Sequence, residues 1–440
     1  MRYHRPRGVN DITPAEVGRW QRAEAAYRDL CRAYRFEEIR TPIFEQTELF
    51  LRAVGAETDI VSKEMYTFED RGGRSLTLRP EGTAPVVRAF LEDNLQGQDR
   101  ERLVKLFYIA PIFRYDRPQA GRYRQHHQCG AEALGSAHPA VDAEIISLAT
   151  SFYRALGLTQ VTLLLNSVGC PTCRPQRLEQ LKAHVAPRLT EMCDDCQRRY
   201  ADNPLRLLDC KSPTCREITA GAPSAVDLLC EECADHFAAV QSALQSLAIP
   251  FTLEPRIVRG LDYYTKTAFE FTAPGLGASQ DSIGGGGRYD GLVEQCGGPP
   301  TPAVGIGMGL ERLLIAQEAA LGGTGVSPVS PEREGVLVVA LGEKAWEHAV
   351  ILLQEMRRAG LVADIDYRRR SLRAQLSFAD KESFRWAAII GDDEVSGGRV
   401  VFRDLETGIQ YGAERETWHR QLAEIQRRPP TWEEEPGTGR

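Results

Sequence analysis

The sequence predicts an α+β protein in which an antiparallel sheet flanked by helices is followed by a smaller α/β domain. Between about 103 and 134, strand-like runs follow one another with only short turns, which favours antiparallel pairing over strand–helix alternation. A stretch at 168–240, rich in Cys, Arg, Asp and helix-forming residues, interrupts the sheet and indicates a helical insertion. After a Gly-, Pro- and Ser-rich stretch the hydrophobic period changes again, which indicates a second domain.

Composition limits the classes of protein to consider. A chain of 440 residues is long enough for two or three domains, and 42% hydrophobic with 26% charged residues is typical of a soluble globular protein. The sequence contains no run of 18 apolar residues and no apolar segment near its start, so we expect a cytoplasmic protein without a membrane span or signal peptide. The net charge of -7 argues against a general nucleic-acid coat protein, but leaves a specific RNA enzyme open.

The elements suggest domain boundaries. We predict a first domain at 1–320 with its insertion at 168–240, a linker at 321–334, a second domain at 335–426 and a disordered tail at 427–440. The first helix should begin at Thr13-Pro14-Ala15-Glu16, which has the pattern of a capping box with proline at the first helical position. The second domain alternates strands and helices from GVLVVAL at 335 onward.

Arginines concentrate in one predicted hairpin. The segment FRYDRPQAGRYRQHHQ at 113–128 follows LRPEGTAPVVRAF at 78–90, and Pro118 and Gly121 mark its turn. Its arginines either form a solvated basic surface or clamp phosphate, since a guanidinium group matches phosphate oxygens in pairs. The hairpin alone does not separate the two interpretations.

Three later segments add glycines beside candidate site residues. They are RGLDYYTKTAFEF at 259–271, SIGGGGRYDGL at 282–292 and AVGIGMGLERLL at 303–314. The four glycines at 284–287 either form a turn or allow a ligand to approach the backbone closely. The small residues at 303–309 would let an adenine lie against the sheet, with Arg312 pointing into the site from the following helix. Their spacing is not that of a dinucleotide-binding fingerprint.

Together these segments carry a resemblance. The 113–128 segment resembles motif 2 of class II aminoacyl-tRNA synthetases, and GIGMGLERLL resembles motif 3. RGLDYYTKTAFEF and GGGGRYDGL are similar to the two signature segments of histidyl-tRNA synthetases, and RGVNDITP at 7–14 resembles that family's opening. The resemblance covers about residues 7–420. It implies a class II sheet, a homodimer, and ATP-dependent activation of L-histidine followed by transfer to the terminal adenosine of tRNA(His).

The resemblance implies roles for individual arginines in binding ATP. Arg114 is expected on the α-phosphate and the histidine carboxylate, and Arg259 across the α-phosphate from it, so these two are the catalytic candidates. Arg312 is expected on the γ-phosphate and Arg122 on the rest of ATP, which arrives with Mg²⁺. Asp116 stands where the family usually has a glutamate near the adenine, which leaves that contact open.

The resemblance also implies a histidine pocket. Acceptors and hydroxyls suit the task, because a buried polar group left unpaired penalises wrong substrates. The residues that match the family's pocket are Glu81, Thr83, Gln128, Glu132, Arg259, Tyr263, Tyr264 and Tyr289. Tyr264 and Tyr289 are expected to flank the imidazole.

Eight of the eleven cysteines lie between Cys170 and Cys233. Clustered pairs without a secretory signal favour metal over disulfides. Because the first and last pairs open and close the insertion, Cys170, Cys173, Cys230 and Cys233 are the candidate ligands of a structural zinc ion, and eight thiols would suffice for two. The alternative is a set of reduced thiols packed between helices.

The second domain resembles the anticodon-binding domain of several class II synthetases. Its basic run RRRSLRAQ at 368–375 either contacts RNA or is a solvated face. Two rival functions remain. A histidine-sensing regulatory subunit of ATP phosphoribosyltransferase shares the fold, but typically lacks the second domain and has eroded signature segments. A zinc-dependent RNA-binding module would explain the cysteines, but not the pattern at Glu81, Gln128, Glu132 and Tyr264.

Overall fold

The structure is a computed structural model that describes residues 3–55, 58, 60–99, 102–223, 226–257, 261–276, 281–320 and 333–420. The chain divides into two compact units, Met1–Gly323 and Thr324–Arg440. The predicted tail lies outside the described residues, as do the linker up to residue 332 and Arg259. Within the described ranges, no helix combines the length and hydropathy needed to cross a membrane.

The first unit contains a large sheet and a small one. In chain order its strands are β1 (Glu37–Glu38), β2 (Phe44–Gln46), β3 (Tyr66–Glu69), β4 (Ser75–Leu78), β5 (Val104–Phe113), β6 (Gln125–Leu134), β7 (Thr162–Ser167), β8 (Thr252–Leu253), β9 (Thr265–Thr272), β10 (Ser282–Arg288) and β11 (Ala303–Gly309). Its helices are α1 (Pro14–Ala33), α2 (Thr47–Val54), α3 (Thr83–Glu92), α4 (Pro139–Ala155), α5 (Arg174–Val185), α6 (Asp194–Asp202), α7 (Pro213–Thr219), α8 (Glu231–Ser246), α9 (Leu292–Gln295) and α10 (Leu310–Ala320).

The large sheet has the order β1-β5-β6-β11-β10-β9-β7-β8. All pairs between β5 and β7 are antiparallel, which confirms the predicted α+β sheet. The two edge pairs, β1–β5 and β7–β8, are parallel and involve only two residues of each strand. The small sheet has the order β2-β4-β3.

Helices cover both faces of the large sheet. Alternate residues of β5 enter different cores, because successive side chains of a strand point to opposite faces. Phe107 packs in the core beneath α1, α4 and α10, whereas Leu106 and Tyr108 pack in the core beneath α2, α3 and α9. This second core borders the candidate site.

Helix α1 begins where the sequence predicts, but without the hydrogen bonds of a capping box. Thr13 is the N-cap residue and Pro14 the first helical residue, yet the Thr13 side chain makes no capping bond to the backbone. Its Oγ1 instead approaches Glu16 Oε2 at 3.4 Å. Proline's fixed φ, which suits the first helical position, therefore starts the helix without that cap.

The segment predicted as an insertion, 168–240, carries α5, α6, α7 and most of α8. Among its described residues, ten buried ones form a small core of their own, including Leu181, Val185 and Leu207. Helix α8 continues to Ser246, and Phe237 and Val240 near its middle pack in the core with α4. The helix thus links the insertion to the main domain.

The second unit is a five-stranded sheet with helices. Its elements are β12 (Val336–Leu341), α11 (Glu343–Arg358), β13 (Ala363–Ile365), α12 (Leu372–Lys381), β14 (Trp386–Gly391), α13 (Asp392–Ser396), β15 (Arg399–Asp404) and β16 (Gln410–Glu414). The order is β13-β12-β14-β15-β16, parallel among the first three strands and antiparallel in the last hairpin.

Candidate active site

The arginine-rich hairpin is formed by β5, the loop at 114–124 and β6. The Nε of Arg114 donates to the carbonyl oxygen of Pro80 at 2.7 Å, and its backbone N–H donates to the carbonyl oxygen of Arg124 at 2.9 Å. A main-chain oxygen therefore orients the Arg114 guanidinium beside the segment that leads into α3. The predicted strand–loop–strand is confirmed.

Arg312 connects the hairpin loop to the glycine-rich strand. It lies on α10, and its Nε donates to the carbonyl oxygen of Gly121 at 2.8 Å while its Nη1 donates to that of Ser282 at 2.7 Å. Burial lowers the pKa of Arg312, and the nearby charges of Arg122 and Arg114 lower it further. Glu270 and Asp116 oppose this effect, but the concentration of positive charge around Arg312 remains a place that an anion would stabilise.

Asp116 pairs with a loop arginine. Its carboxylate accepts a close hydrogen bond from Arg122 Nε, and Arg122 Nη2 lies 3.9 Å from Glu64. The shortened side chain, whose contact with adenine the sequence left open, therefore orients Arg122 in this structure. The two residues hold opposite ends of the hairpin loop together.

The opening segment of the chain packs on the same loop. The backbone N–H of Arg124 donates to the carbonyl oxygen of Gly8 at 2.7 Å, and a Cβ at Gly8 would lie 2.8 Å from Pro118. The guanidinium of Arg124 lies 3.8 Å above the ring of Tyr115. The segment RGVNDITP thus supports the loop that carries the arginines.

His126 lies beside the candidate site, although it was not named from the sequence. Burial and the charges of Arg114 and Arg312 lower its pKa to about 3, so its ring stays neutral. On β6 it shares a face with Gln128 and Glu132, because residues of one parity lie on the same side of a strand. This alternation along β6 is the sequence pattern that could have placed His126 beside the predicted pocket residues.

Glu132 is the centre of a buried hydrogen-bond network. Its Oε1 accepts from Thr83 Oγ1 at 2.7 Å and its Oε2 from the hydroxyl of Tyr289 at 2.5 Å, and only 1% of the residue is exposed. Burial raises the pKa of Glu132 to about 8, although the hydrogen bonds from Tyr289 and Thr83 oppose the rise. The structure thus brings together three predicted pocket residues.

Glu81 lies beside this network, and its side chain caps the start of the following helix, α3. Its two carboxylate oxygens accept from the backbone N–H groups of Thr83 and Ala84 at 2.7 and 2.8 Å. Burial raises its pKa, against these bonds and the charge of Arg114. Glu81 therefore fixes the start of α3, and with it the Thr83 hydroxyl.

Three predicted tyrosines form one aromatic wall. The ring centroids of Tyr263 and Tyr264 are 4.8 Å apart, and those of Tyr263 and Tyr289 are 5.6 Å apart. All three residues are buried. The carbonyl oxygen of Tyr264 accepts a 2.5 Å hydrogen bond from Arg174 Nη2, which ties this wall to the insertion.

The glycines of β11 accommodate pocket side chains. A Cβ at Gly305 would lie 1.7 Å from Glu132 Oε2, and a Cβ at Gly307 would lie 1.8 Å from Gln128 Nε2. The space at these two glycines, in which the sequence suggested an adenine, is therefore occupied by Glu132 and Gln128. Among the described residues, the buried Oε1 of Gln128 has no hydrogen-bond partner, so it is an open acceptor.

The four consecutive glycines form strand β10 rather than a turn. A Cβ at Gly286 would lie 2.0 Å from the carbonyl oxygen of Gly305, and one at Gly287 would lie 2.9 Å from the ring of Tyr264. At these positions glycine therefore allows close approach of a neighbouring strand and of the aromatic wall.

Comparisons with known proteins decide the family. The model of the family described as Histidyl-tRNA synthetase matches residues 8–313, and that described as Anticodon binding domain matches residues 335–425. The chain belongs to the histidyl-tRNA synthetase family. It is 55% identical over 410 residues to a histidine–tRNA ligase of Desulforudis audaxviator, covering 93% of this chain and 96% of that protein. Identity to the Moorella thermoacetica ligase is 55% over 409 residues, with coverage of 92% and 94%.

Solved structures of the family agree with this fold. The apo histidyl-tRNA synthetase of S. aureus is similar with a TM-score of 0.79 and 37% identity, over 96% of this chain and 99% of that one. A Bacillus halodurans protein described as an ATP phosphoribosyltransferase regulatory subunit/histidyl-tRNA synthetase has a TM-score of 0.61 at 18% identity, covering 89% and 98% of the chains. At that identity, the likeness shows the fold alone.

Within this synthetase-family chain, the four predicted zinc ligands converge. The Sγ atoms of Cys170, Cys173, Cys230 and Cys233 lie within 4.8 Å of one another. Cys170 Sγ is 3.7 Å from Cys173 Sγ and 3.7 Å from Cys230 Sγ, and Cys173 Sγ is 3.9 Å from Cys233 Sγ. We call these four residues the first cysteine cluster.

The basic run of the anticodon-binding domain precedes and enters α12. Arg370 pairs with Asp366 at 2.6 Å, and the guanidinium of Arg369 lies 4.4 Å from the ring centroid of Trp346. Part of the positive charge is therefore neutralised within the domain. Contact of this run with RNA stays a prediction.

Proposed function

We propose that the chain is a histidine–tRNA ligase, which activates L-histidine with ATP as histidyl-adenylate and transfers it to the 3′-terminal adenosine of tRNA(His). One observation carries the proposal. The same face of β6 carries the buried carboxylate of Glu132, the half-buried Gln128 and, beside the arginines of the hairpin and α10, His126. A substrate lying along this face would place its amino-acid end and its phosphates in two chemically different surroundings.

The pocket half suits histidine. A carboxylate buried at Glu132 favours a cationic or N–H-bearing ligand, and the open Gln128 acceptor provides a second polar contact. The rings of Tyr264 and Tyr289 are suited to flank a planar imidazole. Glu81 and Thr83 hold the pocket's edge in place, and Tyr263 packs between the other two tyrosines.

The arginine half suits ATP. In-line attack of the histidine carboxylate on the α-phosphate concentrates negative charge, which fixed positive groups stabilise. We assign Arg114 and Arg259 to the α-phosphate, Arg312 to the γ-phosphate and Arg122 to the remainder of ATP. Mg²⁺ bound to the phosphates neutralises further charge when ATP arrives.

Partners and location follow from the same proposal. The second unit, matched by the anticodon-binding family, is assigned to tRNA(His). The family resemblance supports a homodimer in the cytoplasm. We retain the domain boundaries at 320, 334 and 426 as part of the proposal.

A structural zinc ion in the first cysteine cluster completes the proposal. Four thiolates at about 2.3 Å from zinc define a tetrahedron with edges of about 3.8 Å, and the sulfur distances given above match it. Arg174 and Arg177 both lie close enough to Cys173 for a thiolate there to stabilise their positive charge, and Arg177 is buried. Their guanidinium groups balance the net negative charge of such a site.

ATP–pyrophosphate exchange with each of the twenty amino acids tests the function. We expect exchange with histidine alone, and its loss in Arg259→Ala. A charging assay with tRNA(His) then tests the transfer step. If the folded protein binds histidine but exchanges with no amino acid, the synthetase proposal fails and the regulatory-subunit alternative replaces it.

A further inference from the structure

The body of the insertion contains a second group of cysteines, which shares no ligand with the first. The Sγ atoms of Cys193, Cys196, Cys210 and Cys215 lie within 4.8 Å of one another, and those of Cys193 and Cys210 are 3.8 Å apart. We call these residues the second cysteine cluster. They come from the start of α6, the turn before α7 and the first turn of α7.

The sulfur spacing favours a metal over disulfides. A disulfide requires sulfurs about 2.0 Å apart, whereas all four cysteines here are free thiols. A tetrahedral zinc ion with four sulfur ligands separates them by about 3.8 Å. The 3.8 Å between Cys193 Sγ and Cys210 Sγ equals that edge.

The local backbone also suits thiolates. The N–H of Cys193 donates to Cys215 Sγ at 3.3 Å, and in the first cluster the N–H of Cys170 donates to Cys173 Sγ at 3.2 Å. Such N–H···S bonds favour the charged form of the sulfur. The same kind of support occurs in two clusters formed by unrelated segments of the insertion.

The small size of the core around the second cysteine cluster favours stabilisation by a bound metal. Cys196 and Cys215 are fully buried in this small core, to which ten of the described residues contribute buried side chains. A core of that size stabilises little on its own, and small units of this kind commonly depend on a metal or disulfides. Three of the four cysteines lie in this core, so an ion bound to them would crosslink it at its centre.

We propose that the second cysteine cluster binds a structural zinc ion, so that each chain carries two. Binding converts four thiols and Zn²⁺ into a Zn(Cys)₄ unit of net charge −2 and releases four protons. All four coordination positions are filled by protein, so the ion is structural and does not take part in catalysis.

The second zinc ion fixes a segment that reaches the candidate active site. Residues 197–209 connect the two halves of the cluster, and within them Asn203 Nδ2 donates to Asp262 Oδ1 at 2.9 Å. Asp262 immediately precedes Tyr263 and Tyr264. The ion therefore closes a loop whose middle supports the aromatic wall.

Metal content of the purified full chain tests the proposal without reference to synthetase activity. We expect about two zinc ions per chain by mass spectrometry in the wild type, and about one in Cys196→Ser/Cys215→Ser. The double variant Cys173→Ser/Cys233→Ser should also keep about one. Cys296→Ser, at a half-buried thiol outside both clusters, is the matched control and should keep two.

A second measurement on the wild type covers variants that fail to fold. Titration of the thiols with a mercurial reagent should release two zinc ions, and Co²⁺-substituted protein should show the absorption of two tetrahedral sulfur sites. One zinc ion per chain, lost only when the first cluster is changed, would overturn the proposal. So would a chain without metal, or one that carries iron in the second cluster.

Discussion

The two halves of the candidate active site are built in opposite ways. In the half proposed to bind histidine, Glu132, Thr83 and Tyr289 form a buried hydrogen-bond network. In the half proposed to bind ATP, main-chain oxygens orient Arg114 and Arg312, and their positive charges lie close together. The side chains of the first half are hydrogen-bonded to one another, whereas the second half concentrates positive charge that suits an anion.

The difference indicates how each half selects its ligand. Burial raises the pKa of Glu132 to about 8, so its carboxyl group is largely protonated at neutral pH and would lose its proton on binding a cationic ligand. The arginines need no such change, because phosphate simply offsets their mutual repulsion. Specificity should therefore depend on protonation in the first half, and rate on fixed charge in the second.

The largest effect is expected from Arg114→Ala. Loss of a fixed charge at the reacting phosphate should reduce the rate of ATP–pyrophosphate exchange by about 10²- to 10³-fold, mainly in kcat. Arg117→Ala, at an exposed arginine of the same loop, is the control and should stay near wild type. Equal losses in both variants would mean that the loop as a whole matters rather than the Arg114 charge.

Glu132→Gln should affect the other half through KM. Removing the charged acceptor should raise KM for histidine about 10- to 100-fold and change KM for ATP little. In the wild type, KM for histidine should fall as the pH rises toward 8, where the Glu132 carboxylate ionises. This pH dependence should disappear in the variant, and its persistence would assign the titration to another group.

The same substitution has a predictable effect on stability. The pKa of Glu132 rises from 4.5 to about 8 on folding, so the folded chain holds a proton that the unfolded chain releases. The contribution of Glu132 to the free energy of unfolding of the wild type is therefore fully present below pH 4.5. It is lost as the pH rises from 4.5 to about 8. The Tm of Glu132→Gln minus the Tm of the wild type should therefore be larger at pH 9 than at pH 5.

Gly305→Ala tests whether the position of the Glu132 carboxylate depends on the absence of a side chain at Gly305. Its Cβ would overlap Glu132 Oε2, so the carboxylate must move. We expect a loss of about 1–3 kcal/mol in the free energy of unfolding and a raised KM for histidine. Gly291→Ala is the control, because nothing lies within 4 Å of a Cβ there. A wild-type KM in Gly305→Ala would show that Glu132 is not held against β11.

The smallest effect is expected from Arg174→Met, a change in the insertion. The variant loses the hydrogen bond to the carbonyl oxygen of Tyr264, which should raise KM for histidine about fivefold with kcat little changed. Arg198→Met, at an exposed arginine of α6, is the control. A fall in kcat alone would place Arg174 outside the positioning of the aromatic wall.

The sequence predicted the elements better than the contacts between them. Local patterns were enough for the hairpin of β5 and β6, the helical insertion and the change of period after residue 334, because each depends on neighbouring residues. Glu132, Thr83 and Tyr289 were named through the resemblance, but their mutual hydrogen bonds depend on three separate segments. The purpose of Gly305 appears only in the register that places it opposite Glu132.

Other features depend on which strand faces are covered. His126 was missed because a histidine in an arginine-rich hairpin gives no sign of burial until the strand parity is known. The cysteine pairs were evident from spacing, but which pairs meet is decided by the path of α5, α6, α7 and α8. Roles for Arg259 still depend on the resemblance alone.

Gly305 and Gly307 of β11, which lie against Glu132 and Gln128, have a consequence for engineering the substrate range. Enzymes are usually made to accept bulkier analogues by trimming the side chains beneath the ligand, but β11 offers nothing to trim at Gly305 or Gly307. Room for a larger imidazole analogue would have to come from the walls, at Tyr264 or Tyr289. Because the Tyr289 hydroxyl also holds Glu132, Tyr264 is the position where a library of smaller residues should begin.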